Sequence, residues 1–278
     1  MGAADPIQLG AVALQALACR DGEPHTVSDW VADEVPVALQ YNGVSHAVML
    51  ATPLDLEDFA VGFSLSEGLV DEVGDVYDIE LEATDLGLVL HIEIAARCLA
   101  RLKERRRTLA GRTGCGLCGI ESLAQALPRI DRQVVPGALD VRALARAMRE
   151  MCTMQALQSV TGATHAAAWC GPHGQVQRVR EDVGRHNALD KVIGAMARAR
   201  SDAAPGFFAV TSRASYEMVQ KAVRAGAGTL VAISAPTALA VRTAQEAGLC
   251  LVGFARGDRW VAYSGADRLI LEHTAPSP

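Results

Sequence analysis

The chain has 278 residues, of which 50% are hydrophobic, and its formal net charge is -6 at pH 7. A chain of this length can bury a substantial core in two domains of ordinary size. The net negative charge does not indicate general nucleic-acid binding. The sequence has no run of about 18 apolar residues that would span a bilayer and no signal peptide, so we expect a cytoplasmic protein that binds neither membranes nor nucleic acids.

The first part of the sequence predicts a mixture of strands and helices. The dipeptide Asn42-Gly43 supplies the positive φ angles of a tight hairpin between strands near 35–41 and 44–51. Apolar residues at helical spacing then predict a helix near 54–67. The stretch "LGLVLHIEI" alternates as a strand does, and "RCLARLKERRRTLAGR" predicts a short, very basic helix that ends at Gly111.

The second part alternates between predicted strands and helices. After a short helix in "IESLAQALPRI", Asp140 is placed to cap a longer helix in "VRALARAMREMCTMQALQ". The elements that follow are strands near 166–170 and 176–180, a helix at 185–199, the strand "GFFAVTS", a helix at 214–225, the strand "TLVAISA", a helix at 236–247, and the strands "LCLVGFAR" and "RWVAYSG". Such alternation predicts a mostly parallel sheet covered by helices on both faces.

These elements predict a protein of the α/β class with two domains. A smaller α+β domain covers 19–134 and ends in the loop that holds a C-x-x-C pair, Cys115 and Cys118. A three-layer α/β/α domain covers 135–273. The boundary near 130–138 falls in the linker "RQVVPGALD", which a proline and a glycine interrupt.

The C-x-x-C pair admits several interpretations. The seven cysteines of the chain are odd in number and otherwise scattered, which fits a reducing compartment better than a disulfide framework. A zinc site needs about four ligands, of which this pair supplies only two, so histidines from elsewhere would have to complete it. A thioredoxin-like redox pair normally follows a strand, whereas this pair follows a basic helix. If the pair were only part of a flexible structural turn, its two exposed thiols would oxidise easily.

The residues around the pair favour a nucleophilic or sulfur-carrying thiolate. In "GRTGCGLCGIESL" three glycines let backbone N–H groups converge, Arg112 adds positive charge, and a predicted helix begins close behind. Each of these effects lowers the pKa of a thiol. A thiolate that is available near neutral pH can attack a persulfide and accept its outer sulfur, by the displacement that underlies disulfide exchange.

Six stretches in the chain occur together in a known family. They are "GRTGCGLCG", "TGATHAAAW", "REDVGRHNALDKVIG", "TSRASYEMVQKA", "ISAPTALAV" and "GLCLVGFARGDRWVAYSG". In this order they resemble the formate dehydrogenase accessory sulfurtransferases, the FdhD family. The resemblance extends from about the Asn42-Gly43 hairpin to the last predicted strand.

The resemblance implies a sulfur carrier protein, that is, a sulfurtransferase enzyme. Such a protein takes sulfur from a cysteine desulfurase and delivers it to the molybdenum cofactor, a bis(molybdopterin guanine dinucleotide) bound as a substrate, before the cofactor enters formate dehydrogenase. The persulfide position of the family falls on Cys115, and Cys118 matches the second, auxiliary cysteine. The resemblance also implies a homodimer and a C-terminal domain with the cytidine deaminase fold. A chaperone that binds the cofactor without sulfur chemistry is the alternative function.

Candidate cofactor-binding residues lie near two predicted strand ends. The family's cofactor-binding segment falls on Phe254, Ala255, Arg256, Gly257, Asp258 and Arg259. Its two arginines offer planar donors that match phosphate oxygens or a guanine edge. Arg213 suits an anion site at the carboxyl edge of a parallel sheet, although Ser212 and Ser215 beside it are explained equally well as helix caps.

Several polar residues remain open to two interpretations. Two interpretations are open for Arg180, Arg185 and His186. They either face the same anion-binding pocket as Arg213 or belong to an ordinary ion-paired surface. His165 is either a core or a pocket residue. A deaminase would need a glutamate two residues after this histidine and a later P-C-x-x-C, and "HAAAW" has neither, so deamination is chemically unsupported.

Overall fold

The computed structural model describes residues 10–110, 132–134, 137–200 and 206–271, so Cys115 and Cys118 lie outside the described residues. The strands are β1 (Ala11–Arg20), β2 (Glu23–Ala32), β3 (Val35–Tyr41), β4 (Val44–Ala51), β5 (Val76–Thr84), β6 (Gly87–Ile94), β7 (Leu139–Asp140), β8 (His165–Cys170), β9 (Val176–Asp182), β10 (Phe207–Val210), β11 (Thr229–Ala232), β12 (Cys250–Arg256), β13 (Arg259–Ser264) and β14 (Leu269–Ile270). The helices are α1 (Leu56–Ser66), α2 (Ala96–Ala110), α3 (Val141–Thr153), α4 (Ala156–Thr161), α5 (Arg185–Arg198), α6 (Tyr216–Arg224) and α7 (Ala238–Ala247). None of these helices is both long enough and apolar enough to cross a membrane.

A four-stranded sheet forms the first half of the fold, in the order β4-β3-β6-β5. The turn between β3 and β4 has positive φ angles at Asn42 (47°) and Gly43 (76°), which confirms the predicted hairpin. One face of the sheet is buried in a cluster with residues of α1 and α2, and its fully buried strand residues include Val37, Leu39, Tyr41, Leu90 and Ile92. The alternating apolar residues that predicted β6 therefore lie on this covered face.

A six-stranded sheet forms the second half, in the order β13-β12-β11-β10-β8-β9. Its strands β10, β11 and β12 pair in parallel, whereas β8, β9 and β13 join through antiparallel pairings. The prediction of a mostly parallel sheet is therefore wrong. The reason is connection length: β8–β9 and β12–β13 are hairpins with short turns, and a short turn joins only antiparallel neighbours.

Helices cover both faces of the six-stranded sheet. On one face, alternate strand residues such as Trp169, Phe208 and Leu251 pack against α5, α6 and α7. On the other face, the intervening residues, among them Phe207 and Val252, pack against α3. The three-layer α/β/α arrangement is thus confirmed, together with the α/β class. The likeness to cytidine deaminases and the domain boundary near 130–138 stay predictions.

The element predictions differ from the structure in several further places, and the strands β5, β7 and β14 were not predicted. The helix expected over 140–158 is divided into α3 and α4, and the Asp140 side chain caps α3 as predicted, accepting a bond from the Arg142 backbone N–H at 2.8 Å. The hairpin of β1 and β2 was not predicted. Its first strand, "AVALQALACR", is rich in alanine and leucine, which favour helices, so only pairing with β2 makes it a strand.

Two glycines hold the halves of the fold together. Helix α1, which packs on the four-stranded sheet, lies against α5 of the second half. A Cβ atom on Gly62 would lie 1.7 Å from the carbonyl oxygen of Asp190, and one on Gly194 would lie 1.8 Å from that of Asp58. The backbones of the two helices are therefore in direct contact, at a distance that only glycine permits at both positions.

Buried ion pairs flank this helix contact. The Lys191 ammonium lies 2.7 Å from an Asp182 carboxylate oxygen and donates to the Thr52 carbonyl at 3.0 Å. In a second cluster, Lys221 donates to carboxylates of Asp190 at 2.9 Å and Glu67 at 2.8 Å. Both clusters join side chains of one half to groups of the other.

The two buried lysines have different electrostatic surroundings. Burial lowers the pKa of Lys191, and its carboxylate partner only partly offsets that effect. Burial also acts to lower the pKa of Lys221, but the charges of Asp190 and Glu67 outweigh it and raise the pKa. Lys221 therefore stays protonated at neutral pH, and its ion pair with Glu67 joins the two halves.

We expect Gly62→Ala to lower the free energy of unfolding by about 3 kcal/mol, because the added methyl group must push α1 away from α5. Urea unfolding followed by circular dichroism measures the change. Gly74→Ala is the matched control, since a Cβ atom at Gly74 would meet nothing within 4 Å. Equal stability losses in the two variants would contradict the close contact of the helices.

Candidate functional site

Three loops meet at the carboxyl edge of the parallel strands. They follow β10, β11 and β12, and backbone bonds join them: the Thr237 N–H donates to the Ala214 carbonyl at 3.0 Å, and the Phe254 N–H donates to the Ser234 carbonyl at 3.2 Å. The carboxyl edge of such a sheet is where ligands of α/β proteins bind. The loops therefore form one continuous surface at the position expected of a binding site.

Three helices begin at this edge. Helix α5 starts after Gly184, α6 after Ser215 and α7 after Thr237. The Thr237 side chain caps α7 by accepting a bond from the Ala240 N–H, whereas the Ser215 side chain makes no such bond. Because the N-terminus of a helix carries unpaired N–H groups and partial positive charge, the edge attracts anions.

The predicted cofactor segment forms the hairpin between β12 and β13. Arg256 and Arg259 lie opposite each other in the strand pairing, on either side of a turn in which Gly257 has a φ of 58°. The Arg256 guanidinium donates to the Ile233 carbonyl at 3.2 Å, which fixes this arginine over the end of β11. Both arginines are exposed, as are Gly257 and Asp258, while Ala255 is buried.

Phe254 has an unusual backbone conformation. Its φ is 53°, in the left-handed region that bulky residues avoid, and 44% of its surface is exposed. The strand pairing is irregular between Gly253 and Arg256, so a bulge turns this aromatic ring outward at the end of β12. Strain of this kind persists at sites of function more often than elsewhere, and an exposed ring offers a stacking surface.

Arg213 lies on the same edge as the hairpin. It is exposed in the loop after β10, and its carbonyl accepts a bond from the Ser212 hydroxyl at 3.0 Å. Neither serine beside it caps a helix through its side chain to a backbone N–H. The structure thus places Arg213 and the Arg256–Arg259 hairpin at one edge, with β11 between their strands.

The histidines flagged in the sequence lie farther along this edge. His165 begins β8 and is half-buried, and burial followed by the charge of Arg185 lowers its pKa. His186 lies in the first turn of α5, with its Nε2 atom 3.3 Å from the Ser215 hydroxyl. Burial and then Arg185 lower the pKa of His186 to about 4. Both imidazoles are therefore neutral near pH 7.

Arg180 belongs to an ion-paired surface and not to this edge. Its guanidinium donates to Asp58 at 2.7 Å and lies 3.3 Å from Asp55, and Arg198 donates to the second oxygen of Asp58 at 2.6 Å. These groups line a cleft of about 750 Å³ between the two halves. Of the two interpretations of Arg180, the ion-paired one is confirmed.

The described cysteines are poor nucleophiles where they are buried. Cys98, Cys170 and Cys250 are buried, and Cys19 and Cys152 are exposed. Burial raises the pKa of the Cys170 thiol to about 12 and that of Cys250 to about 11. These two thiols are protonated at neutral pH and do not act as thiolates.

One polar cluster in the first half has the donors of a metal site. Ligand atoms of Asp71, Asp75 and Cys98 lie within 4.8 Å of one another. However, Arg97 donates to Asp75 at 2.6 Å, and Arg101 lies 3.1 Å from Asp71. The two guanidinium groups already neutralise the carboxylates, so the cluster is explained as an ion-pair network.

Comparisons with known proteins agree on one family. The model of the FdhD/NarQ family matches residues 32–270. A protein of Variovorax paradoxus named sulfur carrier protein FdhD is 56% identical over 241 residues, which cover 87% of each chain. A protein of the same name from Xanthomonas campestris is 54% identical over 268 residues, which cover 96% of this chain and 95% of that protein.

A crystal structure shows the same fold. It is that of a protein from Desulfotalea psychrophila described as a candidate formate dehydrogenase accessory protein. The two structures superpose with a TM-score of 0.74 at 22% identity, and the match covers 94% of this chain and 99% of that one. The arrangement of both sheets and their helices is therefore shared well beyond close sequence relatives.

We expect Phe254→Gly to be more stable than Phe254→Ala by about 1 kcal/mol, because glycine adopts the left-handed conformation without a Cβ clash. Urea unfolding of the two variants measures this difference. The comparison removes the aromatic ring in both proteins and leaves only the backbone effect. If the alanine variant is the more stable one, residue 254 does not hold a positive φ in solution.

Proposed function

This chain belongs to the FdhD/NarQ family, and from that premise we propose that it is a sulfur carrier protein that serves formate dehydrogenase in the cytoplasm. In the proposed cycle a cysteine desulfurase supplies the sulfur, and Cys115 holds it as a persulfide. The acceptor is the molybdenum of a bis(molybdopterin guanine dinucleotide), bound as a substrate. The observation that carries this proposal is the family match over residues 32–270, which includes the C-x-x-C loop.

The loading step follows from thiol chemistry. The Cys115 thiolate attacks the outer sulfur of the donor's cysteine persulfide, a new S–S bond forms, and the old one breaks. The donor cysteine leaves as a thiolate, so charge and atoms balance without an oxidant. Burial keeps the Cys170 and Cys250 thiols protonated, so neither is proposed as the carrier.

The carboxyl edge supports the binding of the cofactor's nucleotide ends. A bis-nucleotide carries two pyrophosphates, and the edge combines three helix N-termini with Arg213, Arg256 and Arg259. Guanidinium groups bind phosphate oxygens in a bidentate manner, and the exposed ring of Phe254 suits a guanine base. In this proposal the edge anchors the substrate, and the sulfur chemistry takes place on Cys115.

A chaperone that hands over the cofactor without sulfur chemistry is the second candidate function. The basic edge favours the chaperone as much as the sulfur carrier, because both functions require binding of the nucleotide. The two differ only in what Cys115 does. The homodimer implied by the family resemblance is compatible with either candidate and stays a prediction.

We expect the intact protein to gain about 32 Da, one sulfur atom, after incubation with a cysteine desulfurase and cysteine. The gain should be lost on reduction and absent from Cys115→Ala. Intact-mass spectrometry measures it, with Cys152→Ala as a control for an exposed cysteine elsewhere in the fold. A Cys115→Ala protein that still restores formate dehydrogenase activity would leave the chaperone as the better candidate.

We expect Arg256→Met and Arg259→Met each to weaken the binding of GDP by about tenfold or more, because each removes a charge-assisted bond to phosphate. Isothermal titration calorimetry measures the affinity. Arg178→Met is the matched control, since Arg178 is exposed on β9, away from the hairpin. If the control loses as much affinity as the hairpin variants, general charge and not the hairpin binds the nucleotide.

A further inference from the structure

The first two strands form a ribbon that pairs with no other described strand. Strands β1 and β2 are joined along their whole length as a separate two-stranded sheet. Helix α4 packs against this ribbon, mainly against β2. A two-stranded ribbon is only marginally stable in water, and a further strand stabilises it. Within the described part of the chain, each of the two strands therefore has one edge to which another strand can add.

The two edges differ in their protection against such pairing. Natural proteins protect an edge strand with charged residues or with proline. Strand β2 has both, because it contains Pro24, which has no backbone N–H, and the charged residues Glu23 and Asp29. Strand β1 has no proline, and it has no charged residue between Ala11 and Cys19. The edge of β1 is therefore the one that is open to another strand.

Strand β1 also exposes apolar side chains on both of its faces. Val12 is 41% exposed and Leu14 is 51% exposed on one face, and Leu17 is 76% exposed on the other. A helix that packs on one face of the ribbon cannot cover both sets, whereas a strand added at the edge lies beside both. Exposed apolar residues on an unprotected edge are the typical features of an association surface.

A second copy of β1 fits this edge. In an antiparallel pair only every second residue directs its backbone groups to the free edge, so a twofold axis between two copies passes through a residue. With the axis at Gln15, the two glutamine amides meet and can bond to each other. Each large apolar side chain then faces an alanine of the partner protomer: Val12 lies opposite Ala18, Leu14 opposite Ala16, and Leu17 opposite Ala13.

The charges at the two ends favour the same register. Arg20 of one protomer falls opposite Gly10 of its partner, which has no side chain. The Asp33 N–H donates to the Gly10 carbonyl at 2.8 Å, so Asp33 lies in the same row on the next strand. Each end of the pairing thus brings an arginine toward an aspartate with only a glycine between them. An axis at Ala16 would instead place Arg20 opposite Val12.

We propose that the free edge of β1 is a self-association surface, at which two copies of this chain pair antiparallel about Gln15. The two ribbons form one four-stranded sheet in the order β2-β1-β1-β2. Strand β1 precedes residues 32–270, so this surface lies in a part of the chain that the family model does not match. The proposed function needs only one chain, and the surface is a further property of the protein.

The size of the contact sets the expected affinity. The paired length is about nine residues, or about 30 Å. Pairing along one strand edge is a small contact beside the roughly 1,000 Å² of a stable protein interface. The dimer should therefore be reversible and should dissociate on dilution through the micromolar range.

Disulfide trapping tests the register. Gln15→Cys places two thiols at the axis, where directly opposite Cα atoms are about 5 Å apart, a distance that a disulfide spans. We expect oxidation by copper phenanthroline to give a disulfide-linked dimer in which mass spectrometry finds residue 15 joined to residue 15. Ser28→Cys is the matched control, because Ser28 lies opposite Gln15 on β2. In the proposed dimer the two Ser28 positions are three strand spacings apart, about 14 Å, which is too far for a disulfide. Both variants also carry Cys19→Ser, which removes the exposed thiol of the ribbon.

Sedimentation velocity of the full chain without oxidant measures the affinity. Leu14→Lys should raise the dissociation constant by about tenfold or more, because it places two lysines diagonally across the axis, about 8 Å apart, and removes an apolar contact. Val48→Lys is the matched control, since Val48 is 62% exposed on β4, away from the ribbon, and it should leave the dissociation constant unchanged. Circular dichroism checks that both variants fold.

Three results would overturn the proposal. The unaltered chain could stay monomeric throughout the micromolar range. Trapping could occur at residue 28 and not at residue 15, in which case the β2 edges pair. Finally, Leu14→Lys could leave the dimer as strong as Val48→Lys does, in which case the interface lies elsewhere. None of these measurements involves sulfur transfer or nucleotide binding, so their outcome is independent of the proposed function.

Discussion

The contact between α1 and α5 determines where the candidate site lies. Gly62 and Gly194 bring the two helix backbones together, and this contact fixes α5 against the first half of the fold. The first turn of α5 then presents Arg185 and His186 at the carboxyl edge. A larger side chain at either glycine would shift the helix along its whole length. The first half therefore positions residues of the second half at this edge.

Buried charge gives this contact its specificity. Asp182 ends β9, accepts bonds from the Thr52 N–H and the Gly184 N–H, and pairs with Lys191. It thus ties the start of α5 to the first half through one carboxylate. Burying such pairs contributes little net stability, because desolvation offsets the attraction, but a shifted helix would leave charges unpaired at a large cost. The ion pairs consequently favour one position of α5 along its axis over shifted positions.

The sequence predicted local features better than those that depend on distant partners. The hairpin at Asn42-Gly43, the cap at Asp140 and the alternating elements of the second half follow from nearby residues, and the structure has them. The hairpin of β1 and β2 depends on pairing that its helix-favouring composition does not indicate. The role of Gly62 depends on a residue more than a hundred positions away. For the site, a predicted strand end indicated Arg213 and the family resemblance indicated the arginine hairpin, whereas the buried Nε atom of Arg185 becomes visible only in the folded chain.

The charge of the whole chain and the charge of the edge have opposite signs, and both bear on ligand selection. The net charge of -6 repels a polyanionic nucleotide from most of the surface. At the carboxyl edge, exposed arginines and helix N-termini add local positive charge. In the proposed function, this local field directs the nucleotide substrate to one place on a surface that otherwise repels it.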